Sequence, residues 1–356
     1  MTIYLLLFSV IILLWLLIHG QKNDQRISWE RCCGIICVIL LVLVAALRGS
    51  EVGTDTQNYM KDYFRVKNLT YEAVIAMHSN NHGYYLLSKV FADMGFSVQI
   101  WFGFVELLFV GVVTKLILRF SKDVALSYIM FLGLEYYAFS LAGLKQTLSM
   151  VFVLAAFLYL YESKYIRFFV CMIIGAFFHV TCLVFLLVIG VSMLKRSKIL
   201  YFILTVTFAV CAVFYSEILH WIMELWGNEQ YSGYLEEASE YSPTVLIVQL
   251  LVLLASFIYY RQYSKRDEKE ANMLYGLTFL GAIMQVFAFE VASAFRLSLY
   301  FSIFGILLMP NCICLEKNLK ARRIIRVVCA LCFVFFFVYT NRNGGSVVPY
   351  TFYWNE

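Results

Sequence analysis

The sequence predicts an all-α, polytopic membrane protein of about twelve transmembrane helices, with both termini outside and two longer outer loops, 48–97 and 222–243. Three observations predict it. Of 356 residues, 62% are hydrophobic and only 14% are charged, more apolar surface than a soluble fold of this size can hide. Apolar runs near the length of a bilayer crossing recur from end to end, and helices are the structures that satisfy their own backbone in lipid. Lysine and arginine crowd alternate loops, which is the bias that orients membrane proteins.

Taken in order, the runs lie at roughly 3–19, 32–47, 98–118, 124–142, 143–161, 165–179, 180–194, 199–221, 244–260, 272–291, 296–314 and 325–340. The first, from Ile3 to Ile18, has no early basic region and is followed by His19-Gly-Gln-Lys-Asn-Asp, not by a cleavage site, so it reads as a retained span. The breaks at Gly143 and His179 are short enough for tight hairpins or for one re-entrant element. No linker, repeat or low-complexity stretch interrupts the chain, which is read as one membrane domain, 1–356. All ten cysteines lie in or beside apolar runs and none is spaced with histidine as a zinc site, so they are read as small core residues. No metal, cofactor or nucleic-acid partner is expected.

The cationic loops hold Lys22, Arg26 and Arg31; Arg119 and Lys122; Lys164 and Arg167; Lys195, Arg196 and Lys198; Arg261, Lys265, Arg266 and Lys269; and Lys317, Lys320, Arg322, Arg323 and Arg326. These are expected in the cytoplasm. The opposite loops hold few cations, and 222–243 carries Glu224, Glu229, Glu236, Glu237 and Glu240. In 48–97, Tyr59, Tyr63 and Phe64 alternate with Lys61, Asp62 and Arg65, which suits an interfacial amphipathic helix; Tyr84 to Phe91 suits a second one or a re-entrant piece. The aromatic tail from Val347 to Trp354 is expected at the outer headgroup level.

The scarce outer cations point to chemistry. Arg48 closes the second run, Lys145 with Gln146 opens the fifth, Arg296 with Tyr300 opens the eleventh, and His179 sits at the sixth-to-seventh turn. Each could be a snorkelling anchor. As a set at one depth, Arg48, Lys145 and Arg296 could instead hold a diphosphate, arginine by a fork and lysine as a point charge. A lipid-linked diphosphate would keep its tail between helices, and the same cations would stabilise the departing diphosphate of a glycosyl transfer. Asp55, in Val52-Gly-Thr-Asp-Thr56, is the first candidate for the base that takes the acceptor hydroxyl's proton; His179 and His82 follow, and a turn-closing role for Asp55 is the alternative. Tyr59, Tyr63, Tyr231, Tyr234 and Tyr241 could stack on sugar rings or serve only as packing. No phosphate-binding glycine loop, His-Glu-x-x-His or Asp-x-Asp motif occurs, and the cytoplasmic loops are too short for a nucleotide-sugar domain.

Five pieces in order carry a family resemblance: Arg48-Gly-x-x-Val-Gly-Thr-Asp-Thr-x-x-Tyr59, Gly83-Tyr-Tyr-Leu-Leu87, Lys145-Gln146, Phe178-His-Val-Thr181 and Arg296-Leu-Ser-Leu-Tyr-Phe301. The chain resembles the EpsG family of Wzy-type polysaccharide polymerases. Lys145 stands where the family commonly has arginine; it keeps the charge and loses the fork. The resemblance implies polymerisation of undecaprenyl-diphosphate-linked repeat units at the periplasmic or outer face of a bacterial inner membrane, for O-antigen, capsule or exopolysaccharide. It also implies a chain-length regulator and a flippase as partners. Tyr59, His82, Gln146 and Tyr300 would then be supporting residues. The competing readings are a flippase of the same lipid, a glycan ligase using the same cations, and a non-catalytic scaffold. Transporters carry polar groups at the membrane midplane; of Glu106, Glu135, Gln249, Gln285 and Glu290, only Glu106 is expected near mid-depth.

Overall fold

The computed structural model describes residues 1–20, 23–77, 81–193, 197–226 and 242–355. It is 82% helical and has no strands among those residues. The chain packs as two compact units: Met1–Leu183 with Ile324–Glu356, and Val184–Arg323. Residues 227–241, with most of the second outer segment and Tyr231, Tyr234 and Tyr241, lie outside the described residues.

The first unit holds α1 (Thr2–His19), α2 (Asn23–Ala46), α3 (Thr56–Lys67), α4 (Tyr71–Ala76), α5 (His82–Asp93), α6 (Val98–Phe120), α7 (Val124–Gly133), α8 (Tyr136–Ala142), α9 (Leu144–Tyr161) and α10 (Tyr165–Phe178). The second holds a 3-10 stretch with α11 (Val188–Met193), then α12 (Ser197–Val213), α13 (Tyr215–Trp226), α14 (Thr244–Phe257), α15 (Tyr260–Arg266), α16 (Glu268–Val286), α17 (Phe295–Ser302) and α18 (Gly305–Ile313). α19 (Leu319–Thr340) returns the chain to the first unit.

Among the described residues, five helices are long and apolar enough to cross a membrane: 25–46, 98–120, 144–161, 268–289 and 319–340. Four bent pairs raise the number to nine if each is one span: α7 with α8 (50°), 199–213 with 215–221 (88°), α14 with α15 (64°) and 292–302 with α18 (48°). The remaining runs of the sequence fall on shorter apolar helices, 2–18, 165–178 and 180–193. A helix of 14 residues rises only about 21 Å, short of the hydrocarbon thickness, which is why sequence runs and spanning helices differ in number. The breaks at Gly143 and His179 are real helix ends, and α2 extends nine residues before Cys32, so Arg26 and Arg31 ride on the helix itself and not on a loop.

Within the first unit the helix ends sort the charges. At one end, Arg26 donates to the Lys122 carbonyl (3.3 Å), Arg119 and Lys164 both pair with Glu162 (2.6 Å each), and Arg326 pairs with buried Asp123 (3.1 Å). The Lys164 and Arg119 hydrogen bonds hold the Glu162 carboxyl down to about 2. At the other end lie Arg48, the start of α6, the Gly143 turn and the end of α10. Both termini reach that same end: Tyr4 meets Tyr350 edge-on at 6.1 Å, and the tail binds the loop after α2. The tail is therefore a packed element, held by backbone bonds, in addition to being aromatic.

Reporter enzymes fused after Asn68 and after Lys164 test the orientation. Periplasmic activity is expected at Asn68 and absent at Lys164; the reverse would invert the assignment.

Candidate functional site

The candidate site is built on the Arg48 end of the first unit. After α2 the chain cannot continue as helix, and its polar groups must find partners. Arg48 turns inward and is 2% exposed. Its guanidinium donates to the carbonyls of Ala45 (3.1 Å) and Leu141 (3.2 Å) and lies over the Phe102 ring at 4.2 Å. This is a different place from the outward-facing one that the mouth of a span suggests, because the fork satisfies two orphan carbonyls at helix ends. Buried Glu106 accepts from the Ser140 hydroxyl at 3.0 Å.

The loop that follows is braced by the C-terminal tail. Gly49 N–H donates to Thr351 O (2.8 Å), Gly53 N–H to Ser346 O (2.5 Å), and Tyr353 N–H to Leu47 O (3.1 Å). Tyr350 adds a hydroxyl bond to Val44 O at 2.8 Å. Gly53 takes φ +98°, and a Cβ there would stand 2.7 Å from Leu141 O, the carbonyl that Arg48 also uses. Thr56 Oγ1 closes the turn on Val52 O (2.6 Å). Asp55 then caps α3 by position only. Its carboxylate makes no cap bond and no ion pair among the described residues, and it is half-buried. The turn is closed by Thr56, not by Asp55.

α3 and α5 form a lid on the ends of α6, α9 and α10 that lie near Arg48. Their apolar faces share one cluster with Val98, Trp101, Phe102, Val105, Leu144, Leu148 and Phe178. Tyr59 and Tyr63 are buried in it, so they pack and do not offer free faces to sugars. Tyr63 also bonds Phe96 O at 2.9 Å. Gly83 lets α5 touch α10: a Cβ would lie 3.0 Å from Phe177 O.

Lys145, at the first turn of α9, enters this aromatic shell. Its ammonium donates to the Tyr85 hydroxyl (2.8 Å) and pairs with Asp62 (3.4 Å). It sits 4.6, 5.2 and 5.7 Å from the ring centres of Tyr85, Tyr84 and Tyr59. Such faces stabilise a cation by about 0.5–1 kcal/mol each where water still has access, and Lys145 is partly exposed. Gln146 is buried beside it. His179 follows α10, with Nδ1 2.8 Å from Asn81 Oδ1. His82, the first residue of α5, is half-buried. Tyr300 is buried and Arg296 exposed on α17, in the second unit. Among the described residues no group of His, Cys, Asp and Glu could hold a metal ion.

With that geometry in view, the comparisons are decisive on one point. The EpsG family model matches residues 31–352, from the middle of α2 to the tail that braces the Arg48 loop. The chain belongs to the EpsG family. No curated protein and no solved structure gives a match. As an EpsG family member it is a multi-pass membrane protein of a polysaccharide-biosynthesis family. The matched span includes both Arg48 and Phe352, which are joined by a backbone bridge.

Three residues of the candidate site were not singled out from the sequence: Asp62, Tyr85 and Asn81. Tyr59, Asp62, Tyr63 and Val66 fall on one face of α3 at helical spacing, a signal that could have drawn Asp62 in. Tyr85 lies inside the Gly83-Tyr84-Tyr85 motif. Asn81 carried no sequence signal.

Gly53→Ala forces a positive φ on a Cβ that also meets Leu141 O. A loss of roughly 1–3 kcal/mol is expected, read as a lowered Tm in detergent together with lost function. An unchanged Tm would contradict this loop geometry.

Proposed function

We propose that this EpsG family member polymerises undecaprenyl-diphosphate-linked oligosaccharide repeat units at the outer face of a bacterial inner membrane, for O-antigen, capsule or exopolysaccharide, alongside a flippase and a chain-length regulator. The observation that carries the reading is Lys145: a partly exposed ammonium set among three tyrosines beside Asp62. Family membership supports the same reading at the level of polysaccharide biosynthesis.

In this mechanism Lys145 meets the diphosphate of the donor. Arriving phosphate oxygens compete with Asp62 for the ammonium, and as a point charge it can follow charge growing on the leaving group. Arg48 is too enclosed for direct contact and supports the reaction through the loop it pins. An acceptor hydroxyl on a second lipid-linked unit attacks the anomeric carbon, and its proton passes to a base. Asp55, unpaired and on the pinned loop, is the first candidate; His179, already oriented, is the second. Arg296 is an outer cation of the second unit, and its role is tested by itself. The polar groups within the spans already have protein partners: Glu106 with Ser140, Glu135 with Thr340 and Asn341, Gln249 with Gln285 and Ser298. That favours outer-face transfer over a transport path.

Substitutions in a strain deleted for the gene separate the roles. Lys145→Gln should abolish polymer at normal protein level, and Arg296→Lys should impair it. Asp55→Asn should lose roughly two orders of magnitude in rate while donor binding survives. Near-normal polymer from Asp55→Asn with loss in His179→Ala moves the base to His179. Near-normal polymer from both, or from Lys145→Gln, contradicts the proposal. Movement of lipid-linked units by purified protein without elongation would identify a flippase, and transfer to an acceptor lacking the diphosphate would identify a ligase.

A further inference from the structure

We infer that Asn81 is a positioning residue for His179: it fixes the imidazole as the Nδ1–H tautomer and leaves the lone pair on Nε2. Asn81 Oδ1 lies 2.8 Å from His179 Nδ1. An amide oxygen has only lone pairs to offer, so the ring nitrogen that faces it must donate. In a neutral imidazole, one nitrogen carrying the proton leaves the other as acceptor. The contact therefore selects which nitrogen can take up a proton. This is the arrangement of a base oriented by a third group, with an amide as the orienting partner.

Both partners are held by the fold. His179 ends α10, its N–H on Gly175 O (3.0 Å) and its carbonyl accepting from the Ser149 hydroxyl (3.3 Å). Asn81 opens α5, its carbonyl accepting from the N–H groups of Tyr84 (3.1 Å) and Tyr85 (3.4 Å). Those two tyrosines line the Lys145 ammonium. The close packing of Gly83 on Phe177 sets the spacing of α5 and α10, and with it the distance between amide and ring. The motif that begins at Gly83 and the motif that contains His179 thus meet through a residue that neither includes.

The consequence for catalysis, though not the tautomer, rests on the polymerase reading. There, the acceptor oxygen forms a bond to the anomeric carbon, and the bond to the diphosphate oxygen breaks with its electron pair leaving on the diphosphate. With His179, the second candidate base, in that role, the hydroxyl proton passes to its Nε2.

The test uses the full-length protein in nanodiscs with 15N-labelled histidine; His179→Gln assigns the signal among the five histidines. In the unaltered protein, Nδ1 should give the protonated shift and Nε2 the lone-pair shift. Asn81→Ala should redistribute the two, and Asn81→Asp, an acceptor, should restore them. An Nε2–H tautomer in the unaltered protein, or a signal unmoved by Asn81→Ala, overturns the inference. Elongation of lipid-linked units by the same preparations gives the second readout. Asn81→Ala should lower kcat about tenfold or more with KM unchanged, Asn81→Asp should recover most of it, and neither should act in a His179→Ala background. An equal loss with and without His179 overturns the inference. A tautomer that follows Asn81 while elongation ignores both residues upholds the positioning and refutes His179 as the base.

Discussion

A buried arginine at the mouth of a membrane helix organises the first unit. Arg48 cannot stay charged inside the protein unless its N–H groups are used, and removing the partners of such a group costs roughly 3–5 kcal/mol. The carbonyls it takes, Ala45 O and Leu141 O, lie at the ends of α2 and α8, so one side chain ties two helix ends together. The next residues must then turn sharply. Gly53 makes that turn against the same Leu141 carbonyl, and the tail completes the backbone bonding that a loop at this depth requires. The loop that carries Asp55 is thereby held from three sides.

That anchoring explains how a site can exist on what looks like a long outer loop. The described residues between 56 and 93 form three helices, α3, α4 and α5, and Tyr59, Tyr63, Tyr84 and Tyr85 bury in one cluster with Trp101 and Phe102 instead of facing water. Paired aromatics add about 0.5–1.5 kcal/mol each beyond their buried area, so the lid is rigid enough to place an ammonium. Lys145 arrives from α9, Asp62 and Tyr85 from the lid, and His179 from α10. Groups that would be solvated singly are assembled in one place by the packing of three segments.

The sequence showed clearly what depends on composition and period. Apolar runs mark the helices, and alternate basic loops match the end of the first unit that holds Arg26, Arg119, Lys122 and Arg326. It was silent where geometry depends on partners far along the chain. Glu135 adopts φ +63° at the break between α7 and α8, stabilised by Thr340 and Asn341 more than 200 residues away, and nothing local announces that bend. Lys145 and Asp62 are 83 residues apart, and Asn81 and His179 are 98 apart. The position of Arg48 was legible and its direction was not: charge at a span mouth is a one-dimensional fact, whereas turning inward depends on the Leu141 carbonyl. Tyr59 and Tyr63 show the reverse, since their spacing on α3 already implied a buried face.

The central claim is that a lipid-linked diphosphate is handled at the Lys145 end of the first unit. Photocrosslinking with a polyprenyl diphosphate carrying a photoreactive group near its phosphates, followed by mass spectrometry of the membrane-embedded protein, tests this most directly. The account predicts crosslinks to the segments around Asp55 to Asp62 and around Lys145, diminished in Lys145→Gln. Crosslinks confined to the opposite end, around Arg119, Lys122 and Arg326, would contradict it.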